Sequence, residues 1–287
     1  MNISVYITSY NQKNYLKDAI ESVLKQTVKP IEIIVVDDFS NDGSQELISQ
    51  YTKEYPSIKP IFNSKNLGIS KVRNIGLLNA TGDYVTYLDG DDVYLSHKLE
   101  IESRIIQKEK CDVAFSNHMY VEPKDLNEVK WIWTSSDFNL SKKENLFIKT
   151  ICRDFPRSTL YRNELVRRSL LERIGLYDEN LEIYEDFDFK IRLAKIAKVK
   201  FSLEPTTKNR ISRCGLSTKR KEVHRECLYY IFKKYLPEIS RQDFKTSNYI
   251  KSRVNKILLD LGEEKSNLIF KEPKVSSFQK ILRKLRN

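Results

Sequence analysis

Hydrophobic and polar residues alternate in blocks along the first 121 residues, and the blocks predict strands and helices in turn. The run IEIIVV at 31–36 is apolar on both faces, as in a strand that helices cover from both sides. Between the first two strands, apolar residues repeat at i, i+4 from 15 to 24 and predict an amphipathic helix. Strands are predicted at 3–7, 31–36, 58–62, 84–89 and 113–121, and further helices near 44, 70–79 and 96–108. This alternation predicts an α/β domain with a mostly parallel sheet flanked by helices.

The pattern changes after residue 121. We predict loops, a helix at 163–173, the turn GLYDENL and a helix at 185–195. The last 80 residues are predicted to be mostly helical, with an apolar stripe formed by Leu228, Tyr229, Phe232 and Leu236.

Composition narrows the class of protein. The chain has 287 residues, of which 40% are hydrophobic and 31% charged, as in soluble globular proteins. No apolar run approaches the roughly 18 residues of a membrane span, and the N-terminus predicts no secretory signal. Four scattered cysteines and three histidines predict neither a disulfide framework nor a zinc site, so a cytoplasmic location is expected.

The net charge of +11 is unevenly distributed. Residues 208–287 contain 21 Lys and Arg against 8 Asp and Glu, whereas residues 1–207 have a net charge of −2. Such asymmetry predicts that the C-terminal part meets a polyanion, either nucleic acid or an anionic membrane surface.

Five aspartates follow predicted strands, at Asp37, Asp38, Asp89, Asp91 and Asp92. Ligands of parallel sheets bind at the carboxyl ends of the strands, so these side chains are expected in one crevice. Clustered carboxylates repel one another unless a cation offsets them, and oxygen ligands suit Mg²⁺ or Mn²⁺. Each pair taken alone has a structural explanation, because aspartate is common in turns and helix caps.

Three segments resemble the family 2 glycosyltransferases, in the order and spacing of that family. TSYNQKNYLKDAIESVLKQTVKPIEIIVVDDFSNDGS resembles its opening, NLGISKVRNIGLLNATGDYVTYLDGDD the block that ends in its DxD motif, and NLEIYEDFDFKIRL its ED motif. The resemblance covers residues 1 to about 218. It implies an A-type glycosyltransferase fold, a Rossmann-like nucleotide-diphosphosugar-binding domain. The expected domains are a catalytic domain at 1–218, with a nucleotide-binding half at 1–121 and an acceptor half at 122–218, and a basic helical extension at 219–287.

The resemblance also implies a reaction and a set of site residues. A sugar would move from a nucleotide diphosphate to an acceptor hydroxyl with inversion at the anomeric carbon. Asp186 matches the general base, with Glu185 beside it. Asp91 matches the metal ligand, and Asp89 faces the ribose and a metal-bound water. The other positions matched to donor binding are Thr8, Tyr10, Asp37, Asp38 and Arg73.

One segment departs from the family pattern. An arginine followed two residues later by a histidine is common after the base helix, but Ser212 stands where that histidine is expected. Serine is a poor metal ligand, so Arg210 or Arg213 is expected to cover the diphosphate, with a solvated loop position as the alternative. The expected cofactor is Mn²⁺ or Mg²⁺.

The substrates are predicted only by class. A UDP-sugar donor and a lipid-linked oligosaccharide, lipopolysaccharide or capsule acceptor fit a bacterial enzyme of the single-addition type, since the chain lacks the QxxRW segment of processive synthases. A sugar nucleotidyltransferase is the second hypothesis, although TSYNQKNYL lacks that class's glycine-rich loop. A nucleic-acid-binding protein is the third, and the acidic crevice argues against it.

The C-terminal residues 276–287, SSFQKILRKLRN, predict a short basic amphipathic helix. Ser276 and Gln279 fit a capping box, and the apolar stripe consists of Phe278, Ile281, Leu282 and Leu285. Such a helix suits peripheral contact with the anionic inner face of a membrane. Packing of the stripe on the protein is the alternative.

Overall fold

A computed structural model describes residues 1–135, 138, 140, 145–211, 218–264 and 267–270. The chain forms two compact units, Met1–Lys219 and Arg220–Asn287. Ser212, Arg213 and the predicted helix at 276–287 lie outside the described residues.

The described part of the first unit contains nine strands and seven α-helices. In chain order they are β1 (Ile3–Ser9), α1 (Lys13–Leu24), β2 (Glu32–Asp37), α2 (Ser44–Glu54), β3 (Ile58–Phe62), α3 (Ile69–Asn79), β4 (Tyr84–Asp89), β5 (Val93–Tyr94), α4 (Lys98–Glu109), β6 (Val113–Glu122), β7 (Asp125–Ile132), α5 (Leu146–Ile151), β8 (Leu165–Arg167), α6 (Leu171–Ile174), α7 (Glu185–Ile196) and β9 (Val199–Arg210). The alternation predicted for residues 1–121 is confirmed.

All nine strands belong to one mixed sheet, ordered β3-β2-β1-β4-β8-β6-β9-β5, with β7 paired to β6. The strands β3, β2, β1 and β4 are parallel neighbours, and so are β6 and β9. The pairings of β8, β7 and β5 are antiparallel. The parallel block therefore brings the carboxyl ends of β1, β2 and β4 to one edge.

Helices cover both faces of the parallel block. Successive residues of β2 point to opposite sides: Ile33 and Val35 pack in a core with α1, α2 and α4, whereas Ile34 and Val36 pack in a core with α3 and α7. All four side chains are at most 1% exposed. Burial on both faces explains the continuous β-branched run that predicted this strand.

The predicted helix at 163–173 is largely wrong. Leu165–Arg167 forms β8, which pairs with both β4 and β6, and only Leu171–Ile174 is α-helical after a 3₁₀ turn at Arg168–Leu170. The region read as loops also contains the strands β7 and β9. By contrast, the predicted helix at 185–195 is confirmed as α7.

A buried carboxylate joins three segments at the amino end of the sheet, opposite the acidic edge. Glu32 is 2% exposed and accepts hydrogen bonds from Ser4 Oγ (2.6 Å), Thr81 N (2.7 Å) and Lys59 Nζ (2.5 Å). Burial raises the pKa of this carboxyl, but the bonds from Lys59, Ser4 and Thr81 outweigh it and lower the pKa to about 2.

Glu32→Gln is expected to reduce the free energy of unfolding at pH 7 by on the order of 2 kcal/mol, because charge-assisted bonds are lost. The carboxyl is more acidic in the folded than in the unfolded chain, so its contribution is present above pH 4.5 and disappears as the pH falls towards 2. Urea unfolding at several pH values measures this. A stability difference that stayed constant down to acid pH would contradict the assignment.

The second unit is helical over its described residues, with α8 (Lys221–Lys234), α9 (Leu236–Ser240) and α10 (Phe244–Asp260). Leu228 and Phe232 of the predicted stripe are fully buried, together with Ile250, Val254 and Leu258 of α10. None of the helices in the described part of the chain combines the length and apolarity that crossing a bilayer requires.

Candidate active site

The carboxyl ends of β1, β2 and β4 place the predicted donor residues side by side. In the strand register, Ser9 of β1 lies opposite Asp37 of β2, and Thr8 lies opposite Asp89 of β4. Thr8 is 4% exposed and its hydroxyl donates to Asp89 Oδ1 over 3.3 Å. The expectation that these strand ends meet at one edge of the sheet is confirmed.

Asp37 and Asp38 have different surroundings. Asp37 is fully buried and accepts bonds from Ser40 N (2.9 Å), Ser40 Oγ (2.6 Å), Ser9 Oγ (3.1 Å) and Gln45 Nε2 (2.9 Å). These four bonds use the acceptor capacity of the carboxylate, so Asp37 holds the turn between β2 and α2.

Asp38 holds the loop after β3. It accepts bonds from Asn63 Nδ2 (2.9 Å), Leu67 N (2.8 Å) and Gly68 N (2.9 Å). A carboxylate has about four acceptor positions, so one remains for a further donor.

Two exposed aromatic side chains follow these strand ends. Tyr10, directly after β1, is 49% exposed, and Phe39, directly after Asp38, is 54% exposed. Phe39 has a φ of 68°, an unusual conformation for a bulky residue. Phe39 was not among the site residues predicted from the sequence, and the turn residues around it were the available signal.

The turn after β4 depends on Gly90. Its N–H donates to the carbonyl of Thr8 over 2.8 Å. A Cβ at this position would lie 2.7 Å from that carbonyl oxygen and 2.7 Å from Gln12 Oε1. A side chain here would therefore push the turn away from β1, which explains the glycine between the two aspartates.

The three aspartates of the turn are not equivalent. Asp92 is buried and accepts hydrogen bonds from Asn209 Nδ2 and from Arg210 N (2.9 Å), which fastens the turn to β9. Asp89 is 21% exposed, and its Oδ1 accepts from Arg73 Nη2 over 2.9 Å. Asp91 is half-buried, and its carboxylate is contacted by its own backbone N–H. Burial and the nearby Asp89 raise the pKa of Asp91.

These donors fit a divalent cation that is completed by other ligands. Asp91 offers carboxylate oxygens, and Oδ2 of Asp89 accepts no bond from the described residues. No group of three or more His, Cys, Asp or Glu side chains within the described ranges is placed to hold a metal ion. Mg²⁺-like ions use one or two protein carboxylates and take the rest from water and phosphate. The site thus suits a metal that arrives with a diphosphate.

Arg73 connects the turn after β4 to the start of α7. This side chain is 5% exposed, donates to Asp89 Oδ1, and places Nε 3.4 Å from Glu185 Oε1. The guanidinium lies over the ring of Tyr87, 4.3 Å from its centroid. Its buried position makes Arg73 a bridge between the two predicted acidic motifs.

Hydrogen bonds from α3 fix the loop that leads into α7. Asn74 Nδ2 donates to the carbonyl of Tyr177 (3.0 Å) and Asn74 Oδ1 accepts from Tyr177 N (2.8 Å). Ser70 Oγ donates to the carbonyl of Leu181 over 2.6 Å. Tyr184, with a φ of 65°, then turns the chain sharply into the helix.

The side chains of Glu185 and Asp186 differ in exposure and in acidity. Glu185 is 5% exposed, and burial raises its pKa to about 7 against the charge of Arg73. Asp186 is 28% exposed. Burial alone would raise its pKa, but the Lys190 ammonium, 3.1 Å from Oδ2, and the charge of Arg73 hold it well below its usual range. Asp186 is thus ionised and open to solvent.

Lys190 was missed by the sequence analysis. It is fully buried and lies 3.6 Å from the equally buried Glu164 as well as 3.1 Å from Asp186. The i, i+4 spacing of Asp186 and Lys190 on a predicted helix was a usable signal. The contact of Lys190 with Glu164, which precedes β8, could not be predicted from the sequence because it depends on the tertiary structure.

Arg210 is occupied by structural contacts. Its guanidinium donates to the carbonyls of Pro123 (3.1 Å) and Asp91 and to the carboxylate of Asp18. The structure therefore places this side chain as a clamp on the turn after β4, with every guanidinium nitrogen engaged. Arg213, the alternative cation, is outside the described residues.

The model of the family described as Glycosyl transferase family 2 matches residues 4–170. This match covers β1 to β8, including the strand ends and the turn after β4. The chain belongs to this family.

Curated relatives agree with that assignment. Over 208 residues the chain is 33% identical to a cholesterol galactosyltransferase of Borreliella burgdorferi, covering 69% of this chain and 57% of that protein. Over 211 residues it is 28% identical to an uncharacterized glycosyltransferase of Rickettsia typhi, covering 73% of this chain and 64% of that protein. The chain thus covers less than two thirds of either relative.

Solved structures share the fold. S. aureus TarS 1–349 in complex with UDP-GlcNAc superposes with a TM-score of 0.65 at 21% identity, over 93% of this chain and 74% of that one. The mannosyltransferase PcManGT from Pyrobaculum calidifontis, in complex with GDP-Man and Mn²⁺, gives 0.60 at 15% identity, over 91% and 72%. The predicted A-type glycosyltransferase fold is confirmed, and the family assignment disfavours a sugar nucleotidyltransferase.

Proposed function

We propose that the protein transfers a sugar from a nucleotide-diphosphate sugar, a UDP-sugar, to an acceptor hydroxyl with inversion at the anomeric carbon. The observation that carries this proposal is the continuous contact from Thr8 through Asp89 and Arg73 to Glu185. It holds the donor end of the sheet and the start of α7 in one rigid arrangement. A donor and an acceptor hydroxyl could therefore meet between them.

The nucleotide base belongs at the ends of β1 and β2. The remaining acceptor position of Asp38 suits the ring N–H of uracil. The exposed rings of Tyr10 and Phe39 offer apolar faces for stacking, which contributes about 1–3 kcal/mol per base in other proteins. Thr8 and Asp89 are assigned to the ribose in this proposal.

The diphosphate belongs beside the turn after β4, where Asp91 and Asp89 would hold Mn²⁺ or Mg²⁺. When bound there, the ion supplies Lewis-acid stabilisation of the charge that develops on the leaving diphosphate. Asp92 and Arg210 keep the turn fixed against β9, so Asp91 does not have to be ordered when the donor binds. Preorganisation of this kind lowers the cost of binding.

Asp186 is the general base of the proposed reaction. As the acceptor oxygen forms its bond to the anomeric carbon, the carboxylate takes the hydroxyl proton, and the bond from that carbon to the diphosphate oxygen breaks with its electron pair. Glu185 is too buried to reach an acceptor and is occupied by Arg73. Lys190 keeps Asp186 ionised before the acceptor arrives.

The names of the relatives and the charge distribution support a proposal for the acceptor class. The Borreliella burgdorferi relative is named a cholesterol galactosyltransferase, and a Bacillus subtilis relative, 35% identical over 116 residues, is a putative teichuronic acid biosynthesis glycosyltransferase. The first name specifies a lipid acceptor and the second the biosynthesis of a glycan, so together they support a lipid or a lipid-linked glycan as the acceptor. The basic C-terminal sequence favours peripheral contact with the anionic inner leaflet, and a cytoplasmic location suits a nucleotide-sugar donor.

A donor screen tests the proposed function. Purified protein is incubated with UDP-, GDP- and dTDP-sugars in the presence of Mn²⁺ or Mg²⁺, and release of the nucleoside diphosphate is measured. We expect release from one or more UDP-sugars, faster with a lipid-linked acceptor than with water alone. Absence of binding and of release for every donor would overturn the proposal.

A further inference from the structure

Arg162 lies in the same cleft and none of the sequence motifs includes it. It precedes β8, and its side chain is 40% exposed. Nη1 is 3.5 Å from Asp92 Oδ2, too far for a good hydrogen bond. The guanidinium makes no hydrogen bond with any described residue, so its five N–H donors are available.

Arg162 lies near both acidic motifs. Its Nη1 is 3.5 Å from Asp92 in the turn after β4. Its charge also helps to lower the pKa of Asp186, after the larger effects of Lys190 and Arg73. Arg162 is therefore close to the turn after β4 and to the start of α7 at once, where a transferred group would have to sit.

The other positively charged side chains of this region already bind carboxylates or carbonyls of the protein. Arg73 is buried against Asp89 and Glu185, and Lys190 is buried against Asp186 and Glu164. Arg210 is held by Pro123, Asp91 and Asp18. Among the described residues near the turn, Arg162 is the cation that can change partners without breaking a hydrogen bond.

The ion pair with Asp92 does not explain why an arginine stands at position 162. Asp92 already accepts bonds from Asn209 and from the backbone of Arg210. A partly exposed ion pair at 3.5 Å contributes little to stability. An unbonded arginine beside an acidic turn instead suits an anion that enters the cleft.

We infer that Arg162 binds the β-phosphate of the donor and neutralises the departing diphosphate. The planar guanidinium can donate two parallel N–H bonds to phosphate oxygens. This inference rests on the proposed function and gives Arg162 the part that the sequence assigned to Arg210 or Arg213. It requires recognition of the second phosphate in particular, not of the nucleoside.

Calorimetric titration of the full-length protein with UDP, UMP and uridine, in the presence of Mn²⁺, tests the inference. Arg162→Gln is expected to weaken UDP binding by about 10- to 100-fold, the usual range for a lost charge-assisted bond, and to change UMP binding by less than about threefold. Arg162→Lys keeps the positive charge but not the paired N–H donors of the guanidinium, so its UDP affinity is expected to lie between those of the wild type and Arg162→Gln. Arg167→Gln is the matched control, because Arg167 is 41% exposed, pairs with Asp112 and lies opposite Tyr84, at the far end of β4 from Asp89.

The outcomes separate the inference from the proposed function. If the wild-type protein binds UDP and Arg162→Gln binds it equally well, the inference is overturned alone. Equal weakening of UDP, UMP and uridine binding would mean that Arg162 shapes the pocket. An unchanged UDP affinity with a raised acceptor KM would mean that Arg162 contacts a phosphate of the acceptor instead. Both results overturn the inference. A wild-type protein that binds none of the three ligands overturns the proposed function as well.

Discussion

Asp186→Asn is expected to lower the rate of sugar transfer by about 10²- to 10⁴-fold, the usual contribution of a general base, and to leave UDP affinity within about twofold. The amide cannot take the acceptor proton, but it has nearly the shape of the carboxylate. Asp186 contacts Lys190 and not the strand ends where the nucleotide would bind. Transfer rates and UDP titrations on the same preparation measure both effects.

Glu100→Gln is a matched control for the loss of an ion pair at the start of a helix. Glu100 lies in the first turn of α4 and pairs with Arg104 at i, i+4, as Asp186 pairs with Lys190 in α7. This variant should transfer sugar at the wild-type rate. Glu185→Gln distinguishes the two members of the ED pair: a larger loss in this variant than in Asp186→Asn would make Glu185 the base.

The fold of the Asp186→Asn variant should persist, because Lys190 keeps a buried carboxylate partner. Glu164 lies 3.6 Å from the ammonium and is 2% exposed. Removing one negative charge from a buried cluster of three groups is less costly than leaving a lysine unpaired. Equal losses of transfer and UDP binding, together with a lower Tm, would indicate a structural role for Asp186.

The acidic edge was predictable from the sequence because the carboxyl ends of neighbouring parallel strands meet at the same edge of a sheet. Once 3–7, 31–36 and 84–89 are parallel neighbours, Asp37 and Asp89 must lie at one edge, at the ends of the two strands that flank β1. The different roles of Asp37 and Asp38 were not predictable in this way. They depend on which donors, such as Gln45 or Gly68, the loops bring to each carboxylate.

Contacts over long sequence separations account for most of what the sequence analysis missed. Lys190 and Glu164 meet through the packing of α7 against the segment before β8. Arg162 approaches Asp92 from 70 residues further along the chain. The segment 165–174 has helical periodicity, but its first residues gain more by pairing with β4 and β6, so tertiary structure overrides local propensity.

Asp91→Asn is expected to lower the transfer rate by at least about 100-fold, because a Lewis acid contributes several kcal/mol to the stabilisation of the leaving group. The variant should also weaken Mn²⁺ binding in the presence of UDP. The stability of the fold should hardly change, since burial and Asp89 raise the pKa of Asp91 and the fold therefore does not favour its charged form. Calorimetry with Mn²⁺, transfer assays and thermal unfolding provide the three measurements.

Chelation supplies the matching test on the wild-type protein. EDTA should abolish transfer and added Mn²⁺ should restore it, whereas Asp91→Asn should respond weakly to Mn²⁺. Asp83→Asn is the control, because Asp83 is an exposed aspartate that precedes β4, at the end opposite Asp89. Full wild-type activity in EDTA would contradict the metal assignment. The protein's own cations would then have to stabilise the charge of the leaving diphosphate. Because Arg73 and Arg210 are held by carboxylates and carbonyls, Arg162→Gln should in that case lower the transfer rate more than Asp91→Asn does.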